Sequence, residues 1–248
     1  METLYLLGEQ ERIVGVSGYA VRPAQVRREK PRVAAFISAD IPKILALEPD
    51  LVLTFSDLQA DIVSELIRAG VAVHAFNQRD LAGILAMIRT VGALVDAAER
   101  ADQLAASYER RLATIESAAR PLRRPKVYFE EWDDPLISGI GWVSELIEIA
   151  GGEDVLPKLR FQQAAKDRII APDVVRAAAP DVILASWCGK KVVPDKIRKR
   201  PGWSDIPAVR NDRIIEIKST IILQPGPAAL TDGLDAIVKA LWPAPQSA

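Results

Sequence analysis

Short apolar runs alternate along this chain with longer stretches of helical periodicity. Residues 13–16, 51–55, 71–76, 126–129, 182–185 and 213–217 are runs of four to six mostly apolar positions, bounded by Pro, Gly, Asp or Asn. Runs of this length and bounding read as buried parallel strands. Helices are expected between them. Residues 2–7 read as a helix that stops at Gly8, and Asp40 stands where an N-cap is needed, with Pro42 in the first turn that follows. There the missing proline N–H costs little. Strands alternating with helices predict an α/β architecture.

The pattern carries an internal echo. Residues 41–55 read IPKILALEPDLVLTF, and residues 171–185 read APDVVRAAAPDVILA. Each opens a helix with proline in its first turn, closes it at Pro-Asp, then enters an apolar strand; proline cannot continue the helix and aspartate suits the turn. Between the two units, residues 96–119 contain neither Gly nor Pro and are rich in Ala, Glu, Arg and Leu. Ala97, Ala101, Leu104, Tyr108, Leu112 and Ile115 form one helical stripe. At 1.5 Å per residue such a helix spans about 36 Å. The expected organisation is an N-terminal α/β lobe over 1–95, a connecting helix over 96–121 and a C-terminal α/β lobe over 122–248. The alternative is a surface helix of one larger domain.

Composition narrows the chemistry. The 248 residues carry 32 Lys+Arg against 33 Asp+Glu, a net charge of -1, which argues against a dedicated nucleic-acid binder. One Cys and one His exclude a disulfide framework, multi-Cys zinc sites and His-rich metal sites. No apolar run is long enough to span a membrane. The chain as given carries no export signal, which on its own would make it cytoplasmic.

Ligands of open α/β sheets bind beyond the carboxyl ends of strands. Those positions hold Phe55, Phe76, Trp132 and Trp187, in a chain with only 6% aromatic residues. Rigid aromatic area beside a cleft suits a large planar ligand; each ring could equally cap its own core. Glu131 and Asp133 flank Trp132 and are expected to hydrogen-bond ligand amides or hydroxyls, with acid–base catalysis as the alternative. The helix beginning near Trp142 offers free N–H groups to a ligand acceptor. Cys188 beside Lys190 and Lys191 could be a low-pKa thiolate paired with His74, or simply a small packed residue. His74 itself lies in apolar alternation, as a structural histidine does. Basic runs at 22–32 and 190–200 read as solvated loops, or as surfaces that steer an anion or meet a protein partner.

Four blocks in order carry a resemblance: residues 4–19 (LYLLGEQERIVGVSGY), 41–53 (IPKILALEPDLVL), 137–152 (ISGIGWVSELIEIAGG) and 223–234 (LQPGPAALTDGL). Together they resemble the ABC-transporter substrate-binding proteins of the cobalamin/iron-siderophore type, and the cobalamin-binding members most closely. The resemblance implies two Rossmann-like lobes joined by a long rigid helix, with the ligand in a cleft between lobes. It implies ligand contacts at Tyr19, near Phe36, at Phe55 and at Trp132, whereas Trp142 and Trp187 rest on position alone. It implies permease docking through acidic helix heads, matched by Asp173 and, less directly, by Asp40, because Pro42 occupies the corresponding position. A cleft Asp of the family is replaced by Thr220, and the family's first strand has no counterpart ahead of Glu2.

The expected function is therefore capture of a corrinoid, with no cofactor of its own, no catalytic residues and no bound metal. The protein is expected to be a monomer delivering to an ABC permease, and periplasmic by resemblance. The alternatives are an iron-siderophore or haem binder, a cytoplasmic corrinoid carrier or sensor without a transporter, and an enzyme using Cys188 or the Glu131/Asp133 pair.

Overall fold

In the computed structural model, residues 1–243 are described, and they divide into two compact units. The first comprises Met1–Gln78 and Gly83–Ala105; the second comprises Arg79–Ala82 and the chain from Ala106 onward. The division falls inside the long helix, so that helix contributes to both.

The first unit runs α1 (Glu2–Leu6), β1 (Val16–Ser17), α2 (Val26–Glu29), β2 (Arg32–Ala34), α3 (Ile41–Leu45), β3 (Val52–Phe55), α4 (Ala60–Arg68) and β4 (Val73–Phe76). Most of α5 (Leu81–Leu94) and the start of α6 (Ala98–Ala119) complete it. Its strands form two parallel pairs. β1 pairs β2 through Val16↔Arg32 and Ser17↔Ala34, and β3 pairs β4 in continuous register from Val52↔Val73 to Phe55↔Phe76. Ile13, Val16 and Val26 make a small core with Met1, Leu4, Tyr5 and Ala20 packed against it. The expected strand over 13–16 is displaced. Gln10–Arg12 forms a 3-10 turn, and the Ile13 N–H closes it on the Gln10 carbonyl (3.2 Å), so Ile13 is buried without pairing.

The helix signals act as the sequence implied. α1 ends ahead of Gly8, whose φ of +76° is the left-handed backbone that favours glycine. Asp40 caps α3 by accepting the Lys43 N–H at 3.0 Å. In α6 the buried positions are Ala101, Ala105, Tyr108, Leu112 and Ala119, with Leu104 and Ile115 at the margin of the stripe. The α5–α6 contact is close enough that a Cβ on Gly92 would lie 2.1 Å from the Ala101 Cβ.

The second unit contains β5 (Lys126–Asp133), β6 (Leu136–Ser138), α7 (Gly141–Ile149), β7 (Glu153–Asp154), α8 (Pro172–Ala178) and β8 (Val182–Ala185). After these come α9 (Pro194–Arg198), α10 (Pro207–Arg210), β9 (Ile214–Glu216), α11 (Ser219–Ile222) and α12 (Leu234–Leu241). The sheet order is β6-β5-β8-β9, with β7 on the early part of β5. β8 is buried along its whole length, as a central parallel strand should be. β2, β6 and β7 escape sequence detection because each has only two or three residues and none alternates cleanly. No helix among the described residues is long and apolar enough to cross a membrane.

The echo has a structural basis in both units. The residue before each Pro-Asp, Glu48 or Ala179, takes a left-handed conformation with φ of 48° or 47°. In the second unit the Asp181 carboxylate accepts the Lys126 N–H (2.9 Å), tying the turn to the start of β5. Alanine bears a steric penalty at Ala179 that glycine does not. Ala179→Gly is expected to raise unfolding stability by about 0.5–1 kcal/mol, measured as an increased denaturation midpoint in urea at unchanged m-value.

One partly buried carboxyl sets a pH dependence. Asp154 accepts the Ser144 hydroxyl and the Leu156 N–H (2.9 Å), yet burial outweighs both bonds and pushes its pKa up. The folded chain then holds a proton on Asp154 that the unfolded chain releases near pH ~4. Its contribution to stability therefore falls as pH rises from that value through the higher folded pKa. Relative to Asp154→Asn, the wild-type chain should lose stability across this window and level off above it, as read from urea unfolding at a series of pH values.

Candidate functional site

Parallel strands deliver their carboxyl ends to one side, and in the first unit these ends hold the expected aromatics. Tyr19 follows β1 by two residues, Phe36 follows β2 by two, and Phe55 ends β3. The Gly18 N–H bonds the Ala34 carbonyl (2.7 Å), keeping the first two exits together. Gln59 joins them to the third: its Nε2 donates to the Phe36 carbonyl (2.6 Å) and its Oε1 accepts the Phe55 N–H (2.9 Å). A tight turn from Ala35 to Ser38, closed by the Ala35 N–H on the Ser38 carbonyl (2.8 Å), pushes Phe36 and Ile37 outward. Tyr19 is 56% exposed, Phe36 38% and Ile37 70%, while Phe55 is half-buried. The sequence pointed to three of these residues; Gln59 and Ile37 were missed because a polar helix-turn residue and a loop isoleucine carry no signal of their own. Gln59→Ala should leave the fold intact but loosen the 35–38 turn, raising amide exchange at Phe55 and through that turn by about fivefold, for the loss of roughly 1 kcal/mol of hydrogen bonding.

In the second unit the carboxyl ends of β5 and β8 form an ionic cluster. Trp132 is half-buried, with its indole N–H on the Asp134 carbonyl (2.9 Å). A bulge between Glu130 and Trp132 turns the two preceding carboxylates into separate sites. Glu130 is fully buried and bound by Arg200 (2.5 and 2.9 Å) and by the Trp187 indole N–H (3.0 Å). Glu131 pairs with buried Arg168 at 2.6 and 3.1 Å, and Arg168 also donates to the Ser138 carbonyl. Asp133 is held by Lys190 and, at 3.9 Å, by Lys196. Lys190 Nζ also lies 4.0 Å over the Trp132 ring and 5.0 Å over that of Trp187.

Several expectations are corrected by this arrangement. Glu131 and Asp133 are engaged by Arg168 and Lys190, so neither carboxylate is an uncommitted ligand acceptor. Trp187, at 1% exposure, and Trp142, at 2%, are core side chains whose indole N–H groups bind Glu130 and the Ile222 carbonyl (2.8 Å). The head of α7 is also filled, because the Trp142 N–H donates to the Arg79 carbonyl at 3.0 Å. Cys188 is exposed, but partial burial of its thiol and the Glu131 charge push its pKa up, opposite to a reactive thiolate. His74 rests against Phe76, ring centroids 4.4 Å apart, within β4. Among the described residues no three His, Cys, Asp or Glu side chains cluster as a metal site. Asp40 and Asp173 are exposed at the heads of α3 and α8; Asp173 pairs with Arg176 (3.3 Å) one turn along.

With this geometry in view, the chain belongs to the periplasmic binding protein family, whose profile matches residues 1–221. It is a substrate-binding protein of the ABC-transport type. One relative is an uncharacterized ABC transporter substrate-binding lipoprotein, YvrC, of Bacillus subtilis, 25% identical over 256 residues, covering 98% of this chain and 77% of that protein. A cobalamin-binding protein of Halobacterium salinarum is 23% identical over 236 residues, covering 91% of this chain and 63% of its own length. Among solved structures, the periplasmic heme-binding protein RhuT from Roseiflexus, in apo form, superposes with a TM-score of 0.81 at 27% identity, covering 97% of this chain and 95% of that one.

Proposed function

We propose that this chain captures a corrinoid for delivery to an ABC permease. The observation that carries the reading is the aromatic surface at the carboxyl ends of the first unit's strands, where Tyr19 and Phe36 are exposed beside Phe55. Trp132, at the carboxyl end of β5, is the aromatic position we assign in the second unit. The cobalamin-binding relative supports the ligand class. Binding requires no bond to be made or broken, and the raised thiol pKa of Cys188 weighs against the enzymatic alternative. The exposed carboxylates of Asp173 and Asp40 are the groups we assign to permease docking.

A haem ligand is the second reading, favoured by the exposed Tyr19 and by the likeness to the haem-binding RhuT. Titration of the purified protein with cyanocobalamin, haemin and a ferric siderophore, followed by absorption and tryptophan fluorescence, separates these. Saturable binding of cyanocobalamin in preference to the others is expected. Preference for haemin transfers the assignment to the second reading, and binding of neither macrocycle overturns both. Trp132→Ala should weaken the bound macrocycle by about tenfold through lost aromatic contact; unchanged affinity would remove Trp132 from the site.

A further inference from the structure

We propose that Gln59 is a positioning residue for the capture surface. By tying the exit of β2 to the end of β3 it fixes the spacing of Phe36 and Phe55, and so sets how tightly a flat ligand binds across them. The inference rests on the ligand-capture reading above and adds to it a residue that acts through the two aromatics.

The sheet itself creates the need for a tie. β1 and β2 form one sheet, and β3 and β4 form another. Tyr19 and Phe36 follow the first pair, whereas Phe55 ends β3 of the second. Among the described residues no strand ladder therefore joins the aromatics of one pair to that of the other. Val52 and Ser56 send their N–H groups toward β4, onto the carbonyls of Ala72 and Phe76 (2.9 and 2.8 Å). Phe55 has the opposite parity, so its N–H points to the other edge of β3. Gln59 meets that edge as a neighbouring strand would. Its Oε1 accepts the Phe55 N–H (2.9 Å) while its Nε2 donates to the Phe36 carbonyl (2.6 Å). One planar amide, with an acceptor and a donor at fixed separation, engages both chains at once.

The chain is bent sharply to bring Gln59 there. Ser56 takes φ of 81° and ψ of 145°, backbone nearly confined to glycine. It is held by its N–H on the Phe76 carbonyl, by its hydroxyl oxygen accepting the Leu58 N–H (3.3 Å) and by its carbonyl accepting the Gln59 N–H (3.1 Å). The reversal lays residue 59 back beside residue 55. Strain of this kind persists only where the surroundings over-determine it, and it gathers at binding sites. Here the strained turn delivers the group that links two aromatic exits. Without the link each strand pair keeps its own ladder, but the separation of the exits is no longer fixed. A flat ligand then meets the matched spacing for a smaller fraction of the time, and its apparent affinity falls by that fraction.

The test titrates wild-type, Gln59→Ala and Gln59→Glu proteins with cyanocobalamin and with haemin, and follows amide exchange with and without saturating ligand. Glutamate at this position still accepts the Phe55 N–H but presents no donor to the Phe36 carbonyl. It therefore separates a link between the exits from a local cap on Phe55, and it keeps one of the two bonds if Gln59→Ala proves too loose to titrate. For the macrocycle that the wild type binds, both variants are expected to bind about fivefold more weakly. Exchange at the Ala35 amide, raised in free Gln59→Ala, should return to the wild-type bound level under saturating ligand, because the bound form reselects the matched spacing. Wild-type affinity in Gln59→Glu, or Ala35 exchange that stays raised in the bound variant, overturns the proposal while the capture reading stands. Failure of the wild type to bind either macrocycle overturns the capture reading, and this inference with it.

Discussion

Glu130→Ala is expected to destabilise the second unit by about 3–5 kcal/mol, the range for breaking a buried ion pair from one side. The carboxylate is fully buried and accepts three hydrogen bonds, two from Arg200 and one from the Trp187 indole. Truncation leaves Arg200 only a long contact to the Asp133 carbonyl (3.5 Å) and its stacking on Trp203, 4.6 Å from the ring centroid. It also leaves the indole N–H of a 1%-exposed tryptophan without an acceptor. Both groups are costly to bury unpaired. Urea unfolding measures the loss; a change below about 1 kcal/mol would mean that water or a rearranged side chain replaces the carboxylate. The double variant Glu130→Leu/Arg200→Leu should recover more than about 1 kcal/mol of it, because an apolar pair leaves no stranded charge. Gain of stability on restoring the match, rather than on restoring volume alone, identifies the penalty as electrostatic.

Gly141→Ala should cost about 3 kcal/mol for a different reason. A Cβ at this position would lie 2.3 Å from the Arg79 carbonyl oxygen and 2.9 Å from that of Arg160, and both obstacles are backbone. The segment before α5 is docked on the head of α7 by two bonds, Trp142 N–H to the Arg79 carbonyl and Leu81 N–H to Glu145 (2.7 Å). Making room for a methyl group pulls that segment away and loses those bonds as well as incurring overpacking, about 1–3 kcal/mol for the strain and roughly 1 for each bond. Thermal unfolding should report the loss, and hydrogen exchange should show the Leu81 and Trp142 amides deprotected first. Gly139→Ala is the control. Its Cβ would meet the Phe129 side chain at 3.3 Å, a neighbour able to yield, and a loss under about 1 kcal/mol is expected. Equal losses for the two variants would refute the docking argument.

These two sites show where sequence reading ran out. Glu130 carries no sign of its role in the sequence, because its partners are 57 and 70 residues away and only folding brings them together. The helix beginning near Trp142 read as open to ligand at its head. Whether a helix head is free depends on what packs on it, and here residue 79, far back in the chain, does so. Trp142 and Trp187 were placed at strand and helix ends correctly, but an end position does not say whether a ring faces solvent or core. Tyr19 and Phe36 differ from them only in lying on turns that the backbone pushes outward.

What the sequence determined by itself was the local order: the alternation of strand and helix, Asp40 as a cap, Gly8 as a stop and the repeated Pro-Asp closure. Each depends on backbone preferences and burial periodicity that act over a few neighbouring residues. What only the tertiary structure decided was pairing. Arg168, Arg200 and Lys190 each reach a specific carboxylate, three short strands form by borrowing partners, and Asp133 meets both Lys190 and Lys196. Long-range pairing depends on which surfaces the closed chain brings within a few ångströms, and one-dimensional periodicity contains no record of that distance.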